Sequence, residues 1–301
     1  MPGIDDRWQT DAVTAFWTEI ERDVLTVTGA DALTYLQGQI SQDIRNLGDG
    51  ESAHTFVLQP TGKVEVLARV TRMSADEYRL DTDAGFGDAL LARLSRFKIR
   101  VKAEIAAESA TILAVRGTEG PIPRGVPAWG VDGAFDLFDG PPPDGLHHGS
   151  LDDLLLARIE AGWPAMGSEI TEATIPAETC VVTEAVSFTK GCYPGQELVE
   201  RMDSRGSTAP RFVRRLRGEG SVKVGDEVTH DGKAVGALTS VADSDEGWVG
   251  LAIIARSAQP GDAVTVSGDD ALVESIIEDT SSVANALANG AVDLPVRVIR
   301  S

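Results

Sequence analysis

The sequence predicts an α+β protein with a separate all-β module in its C-terminal third. Three observations carry this reading. Strand-like and helix-like segments alternate without the regular βαβ spacing of a doubly wound parallel sheet. A Gly- and Pro-rich stretch over 117–149, stiffest at Pro141-Pro142-Pro143, interrupts the pattern as a long connection or boundary. From about Arg211 the chain changes to short strands separated by turn signals, the rhythm of a small β-barrel.

Each element has its own argument. Residues 24–27 read as a strand that ends at Gly29. Asp31 stands at an N-cap position, and Leu33, Leu36, Ile40, Ile44 and Leu47 recur at helical spacing, predicting one helix stopped by Gly48 and Gly50. Strands are predicted over 54–58 and 64–72, joined by the turn Gln59-Pro60-Thr61-Gly62-Lys63, with a third over 77–81. Leu90, Leu91, Leu94 and Phe97 predict a helix over 88–97, alternation predicts a strand over 99–105, and 111–115 adds another. Ser150 with Asp153 three residues on resembles a capping box, opening a helix over 151–161 that Gly162 and Pro164 terminate. Strands over 227–230 and 233–238 flank Asp231-Gly232, a dipeptide suited to a type I′ hairpin, and further strands follow over 248–254 and 263–267.

Composition excludes several function classes. At roughly 100–200 residues per domain, 301 residues make two or three domains. The formal charge of −20 argues against a broad grip on nucleic acid or an anionic membrane, and 5% aromatics argue against a base-stacking platform. No apolar run approaches a spanning helix, and the first residues have neither the basic flank nor the apolar core of a signal peptide. Cys180 and Cys192 are too few for a disulfide scaffold. A soluble, cytoplasmic protein is expected. P-loop, dinucleotide and nucleophile-elbow motifs are absent, and the adjacent His147-His148 pair is poorly spaced for a metal, so no metal site is expected.

One segment stands apart, Lys190-Gly191-Cys192-Tyr193-Pro194-Gly195-Gln196-Glu197. Its glycines and proline permit sharp turns beside a thiol and a cation. Lys190 would favour the Cys192 thiolate if the two converge, and the Gln196 amide suits an amide-bearing heterocycle. The alternative is a turn before a helix with a buried cysteine. Cys180, in an apolar strand-like setting, reads as a small buried hydrophobe. Six arginines (201, 205, 211, 214, 215, 217) with one acid, Asp203, follow the turn. They read as an anion site for a carboxylate tail, a phosphate or a local stretch of RNA, or else as partners for the chain's surplus carboxylates.

The octapeptide resembles the Lys-Gly-Cys-Tyr/Phe-x-Gly-Gln-Glu signature of the YgfZ family of folate-binding proteins, related to the glycine-cleavage T-protein. Residues 34–44, the turn at 59–64, Arg158-Ile159-Glu160-Ala161-Gly162 and the hairpin at 231–240 resemble further segments of these families. The resemblance implies a three-domain cloverleaf holding tetrahydrofolate in a central channel: two α+β lobes (1–52 with 112–189, and 53–111 with 190–210) and a β-barrel (211–301). It implies a folate-dependent accessory role for iron–sulfur proteins, including enzymes that modify tRNA. Glu160 would accept hydrogen bonds from the pterin. Arg158, Tyr193, Gly195, Gln196, Glu197, Arg201, Arg205 and Arg211 complete the expected folate set, with Cys192 and Lys190 as the chemically active pair. One departure matters. Where T-proteins carry paired aspartates, this chain has Val66 and Leu67, with Glu65 expected on the opposite strand face from Val66, so glycine-cleavage chemistry is not expected. The rival readings are a folate-dependent one-carbon transferase with an unknown acceptor, and a client-binding scaffold that has lost folate.

Overall fold

A computed structural model describes residues 14–96, 98–204, 209–274 and 276. Its framework is β1 (Phe16–Thr28), a strand long enough to serve two neighbours at once. It pairs antiparallel along its whole length with β5 (Glu104–Arg116) and over its second half with β4 (Glu77–Asp83). Adding β2 (Ser52–Leu58), β3 (Val64–Ser74), β6 (Val126–Pro127) and β7 (Phe135–Leu137) gives the order β2-β3-β4-β1-β5-β7-β6. The short β8 (His147–His148) lies parallel to the start of β1.

Two apolar cores flank this sheet. On one side α1 (Ala32–Gln37) and α2 (Gly87–Ser95) cover Leu25, Val27, Val66, Val70 and Leu80. On the other, Phe56, Leu58, Val64 and Leu67 pack with Trp163, Met166, Ile170, Tyr193 and Val199. The connecting segments are α3 (Leu151–Glu160), α4 (Val182–Ala185) and α5 (Gln196–Ser204). Downstream, β9 (Arg211–Gly218), β10 (Glu227–His230), β11 (Lys233–Ser244), β12 (Gly247–Ala255), β13 (Ala263–Val266) and β14 (Asp269–Glu274) close into a barrel, β10-β11-β12-β9-β14-β13. The α+β class with a terminal barrel is therefore the architecture of the chain.

Local chemistry explains the accurate boundaries. Ser150 and Asp153 form a reciprocal capping box, with Ser150 Oγ accepting from Asp153 N at 3.1 Å and Ser150 N donating to Asp153 Oδ2 at 2.7 Å. Asp231 and Gly232 both have positive φ, 52° and 70°, as a type I′ turn requires.

Tertiary demand explains the departures. The helix expected to run to Leu47 stops at Gln37. Beyond it the chain serves β2, an edge strand whose backbone groups need partners. Ser41 N donates to Phe56 O, Phe56 N donates to Ser41 Oγ, and Ile40 bridges Val57. The strand expected over 99–105 begins only at Glu104, because β1 ends at Thr28, the register partner of Glu104. Lys102 is instead drawn to Asp31, donating its N–H to Oδ2. Cys180 is buried as expected but sits in a turn with φ of 60°, not in a strand. Phe97, expected to end α2, lies outside the described residues.

Candidate ligand site

A cavity of about 250 Å³ opens where the second sheet face meets α3. That is just below the roughly 300–1,000 Å³ of ordinary small-molecule sites. Helical periodicity brings Leu151, Leu154, Leu155 and Arg158 to its wall at i, i+3, i+4 and i+7. The sheet supplies Ile20, Arg22, His54, Leu67, Ala68, Arg69, Asp83, Arg116 and Asp136, and the connecting loops supply Ala128, Trp129 and Trp163.

The polar part of this wall is a closed ion network. Arg69 pairs with Asp81 at 2.9 Å and with Asp136 at 2.9 Å. Arg116 pairs with Asp136 at 3.0 Å, and Arg22 bonds both Asp81 and Asp83. Burial alone would raise the Asp81 carboxyl, but the Arg69 and Arg22 guanidiniums win and hold it below its ordinary range. Asp136 is held down in the same way by Arg116, Arg69 and Arg22 against its burial. The Arg116 guanidinium also stacks on Trp129, 3.9 Å from the ring centroid. Arg158, at the α3 edge, is fixed to Glu169 at 2.9 Å and to Ser240 Oγ at 2.6 Å.

Glu169 is fully buried and joins three parts of the chain. It accepts from Arg158, from Ala165 N, and from both Thr239 Oγ1 and Ser240 Oγ of the barrel hairpin. Two of the recognised segments, 158–162 and 231–240, thus meet at a residue that sequence reading did not single out. Glu169 lies in an unremarkable loop, and only its three-dimensional convergence marks it.

A second junction joins the other recognised segments. The Lys190 ammonium donates to the carbonyls of Gln37, Ile40 and Gln42 at 2.8, 2.6 and 2.9 Å, spending all three of its protons. Burial lowers its pKa to about 8, with Asp43 pulling the other way. Gly195 (φ 84°) lies against the 59–63 turn so closely that a Cβ would sit 2.7 Å from Gln59 O. Tyr193 is buried in the second core, which raises its hydroxyl above the ordinary range. Gln196 is tied to Tyr193 N and Glu200, and Glu197 pairs with Arg201 on the exposed face of α5.

These placements revise the expected roles. Lys190 is a clasp between segments rather than the activator of Cys192, whose side chain is exposed and is not part of the cavity wall. Glu160 turns away from the cavity. Two residues beyond Arg158 it falls on a different helix face, where it pairs with Arg217 at 2.6 Å and Arg215 at 3.4 Å. The arginine strip is largely consumed by the protein's own carboxylates. Arg211 bonds Glu178 at 2.8 Å, Arg215 and Arg217 share Glu274 as well as Glu160, and Arg201 bonds Glu197. Arg205 lies outside the described residues. Of the expected folate set, Arg158 alone is on the cavity wall among the described residues.

At Val66 and Leu67, where the resemblance implies the paired aspartates of T-proteins, the chain divides. Val66 enters the first core and Leu67 faces the cavity. A bulge at Glu65, where the register passes from Val57↔Val66 to Leu58↔Val64, breaks the simple alternation expected there.

The fold defines the class. Over 88% of this chain and 87% of the other, it matches the glycine cleavage system aminomethyltransferase T from Bartonella henselae, with a TM-score of 0.69 and 17% identity. In sequence, the chain is 25% identical over 289 residues to the tRNA-modifying protein YgfZ of an Enterobacter species, covering 83% of this chain and 88% of that protein. It is 28% identical over 228 residues to the protein of the same name from Cronobacter sakazakii, covering 65% and 69%. An uncharacterized protein of Haemophilus influenzae is 26% identical over 230 residues, covering 74% and 82%. No family model matches the chain. The chain is thus similar along most of its length to proteins named YgfZ, and it has the aminomethyltransferase fold. No helix among the described residues is long and apolar enough to cross a membrane.

Proposed function

We propose that the cavity binds a reduced folate by its ring system, and that the protein supports tRNA modification as a folate-dependent accessory factor for iron–sulfur enzymes. The observation that carries the reading is the cavity itself. Its polar floor and two tryptophans lie in a fold shared with a T-protein, in a homologue of proteins named for tRNA modification. The donor set suits the group. A pterin offers two flat faces and an edge of N–H donors. Trp129 and Trp163 supply apolar ring surface, and Asp83 and Asp136 supply acceptors. The cavity volume suits the ring system, leaving the glutamate tail outside. Leu67 contributes hydrocarbon where the T-protein pattern has an acid, which supports binding without aminomethyl transfer.

Calorimetric titration with tetrahydrofolate and its methylene and formyl forms tests the reading. Saturable binding is expected, and its absence for all three overturns it. A one-carbon product from the methylene form would favour the transferase instead. Cys192 remains our proposed functional thiol, acting at the surface toward a client protein. Cys192→Ala should lower iron–sulfur enzyme activities in the cell while leaving folate affinity unchanged. Full cellular activity in the variant would make the thiol dispensable.

A further inference from the structure

We propose that His54 is the residue that reads the ligand in the cavity, its imidazole hydrogen-bonding the polar edge of an uncharged nitrogen heterocycle. The inference rests on the folate reading above and names the residue that would give that site its selectivity. His54 comes from β2, opposite Arg69 in the register of β3, and both side chains line the cavity. It is 7% exposed and meets the Trp163 ring edge-to-face, with centroids 4.5 Å apart. Neither ring nitrogen has a hydrogen bond among the described residues. An imidazole on a cavity wall with neither nitrogen spent on the protein can bond what enters the cavity. A neutral imidazole carries one donor and one acceptor pointing in diverging directions, so one of them can meet either the carbonyl or the N–H of a lactam edge.

Charge decides between an uncharged and an anionic ligand. The guanidiniums on the wall are Arg22, Arg69, Arg116 and Arg158, and each is already matched by Asp81, Asp83, Asp136 or Glu169. An entering carboxylate would find no unspent cation there and would lose its hydration. His54 does not supply one either, since burial and the adjacent Arg69 push its imidazolium down to about 3. An uncharged ring meets none of this penalty.

The test uses the full chain, two variants of it and two fragments of the ligand. His54→Phe keeps a flat ring and removes both polar atoms, whereas His54→Gln restores a donor and an acceptor. Tetrahydrofolate affinity should fall about tenfold in His54→Phe, the equivalent of one hydrogen bond, and recover in part in His54→Gln. Tetrahydropterin, which lacks the tail, should bind wild type with the same dependence on His54, and p-aminobenzoylglutamate should not. Where His54→Phe does not fold, the imidazole ¹⁵N resonances of wild type provide the readout, and tetrahydropterin should shift those of His54. Equal affinity in wild type and His54→Phe overturns the proposal while leaving folate binding intact. So does a His54 dependence for p-aminobenzoylglutamate, or unmoved His54 resonances at saturation. No tetrahydrofolate binding to wild type at all overturns the folate reading and the role of His54 with it.

Discussion

The octapeptide turn and the cavity wall differ in how they are built. The turn is contiguous in sequence, and its Lys190, Tyr193 and Gly195 are committed to carbonyls, core and close backbone contact. The wall is assembled from β1, β2, β3, β4, β5, β7, α3 and the connecting loops, and it keeps an open imidazole. The difference teaches that a recognisable motif can hold a site in place without lining it. Lys190 binds the 37–42 segment and Gly195 seats the 59–63 turn, and neither is on the cavity wall.

The largest effect should come from the wall. Asp81→Asn leaves Arg22 and Arg69 short of their shared buried partner and should cost about 3–5 kcal/mol in urea unfolding. A loss below about 1 kcal/mol would mean that the network is not the frame we describe.

The clasp comes next. Lys190→Met strands three carbonyls and should cost about 2–4 kcal/mol, whereas Cys192→Ala, two residues away and exposed, should stay within about 0.5 kcal/mol. Equal losses at the two positions would erase the distinction between a structural Lys190 and a peripheral Cys192.

Acid should sharpen the comparison further. The folded-state pKa of His54 lies near 3 and the unfolded value near 6.5, so the unfolded chain binds the extra proton between them. Stability contributed by neutral His54 is therefore present above pH 6.5 and is lost as pH falls toward 3, with a slope of at most about 1.4 kcal/mol per pH unit. Asp81 and Asp136, whose pKa values are depressed, add their own loss below the ordinary carboxylate range. Unfolding midpoints at pH 7, 6 and 5 should fall more steeply in wild type than in His54→Phe. Parallel curves would place the histidine in contact with water.

The smallest effect is reserved for the arginine strip. Arg201→Ala removes an exposed i,i+4 pair and should change stability by no more than about 0.5 kcal/mol. It should also leave tetrahydrofolate and its polyglutamates with unchanged affinity. A polyglutamate preference abolished by this variant would return Arg201 to the ligand site.

What the sequence by itself determined about this protein is what local chemistry decides: the capping box that opens α3, the Asp231-Gly232 hairpin, most strand cores, and the α+β class with its barrel. Those features depend on residues a few positions apart, so spacing reveals them. Ile40, Ile44 and Leu47 show the limit, since all three are buried as helical spacing suggested but in a chain bent to serve the edge of β2. The pairing of Glu160 and the arginines was illegible for a related reason. Sequence shows that a charge is present but not which opposite charge, scores or hundreds of residues away in the chain, will claim it. Tertiary structure alone decided that Glu160 meets Arg217, that Glu169 gathers Arg158 and the barrel, and that His54 is left open. A buried ionisable group must be paired or held neutral, and only the folded chain determines which of the two occurs.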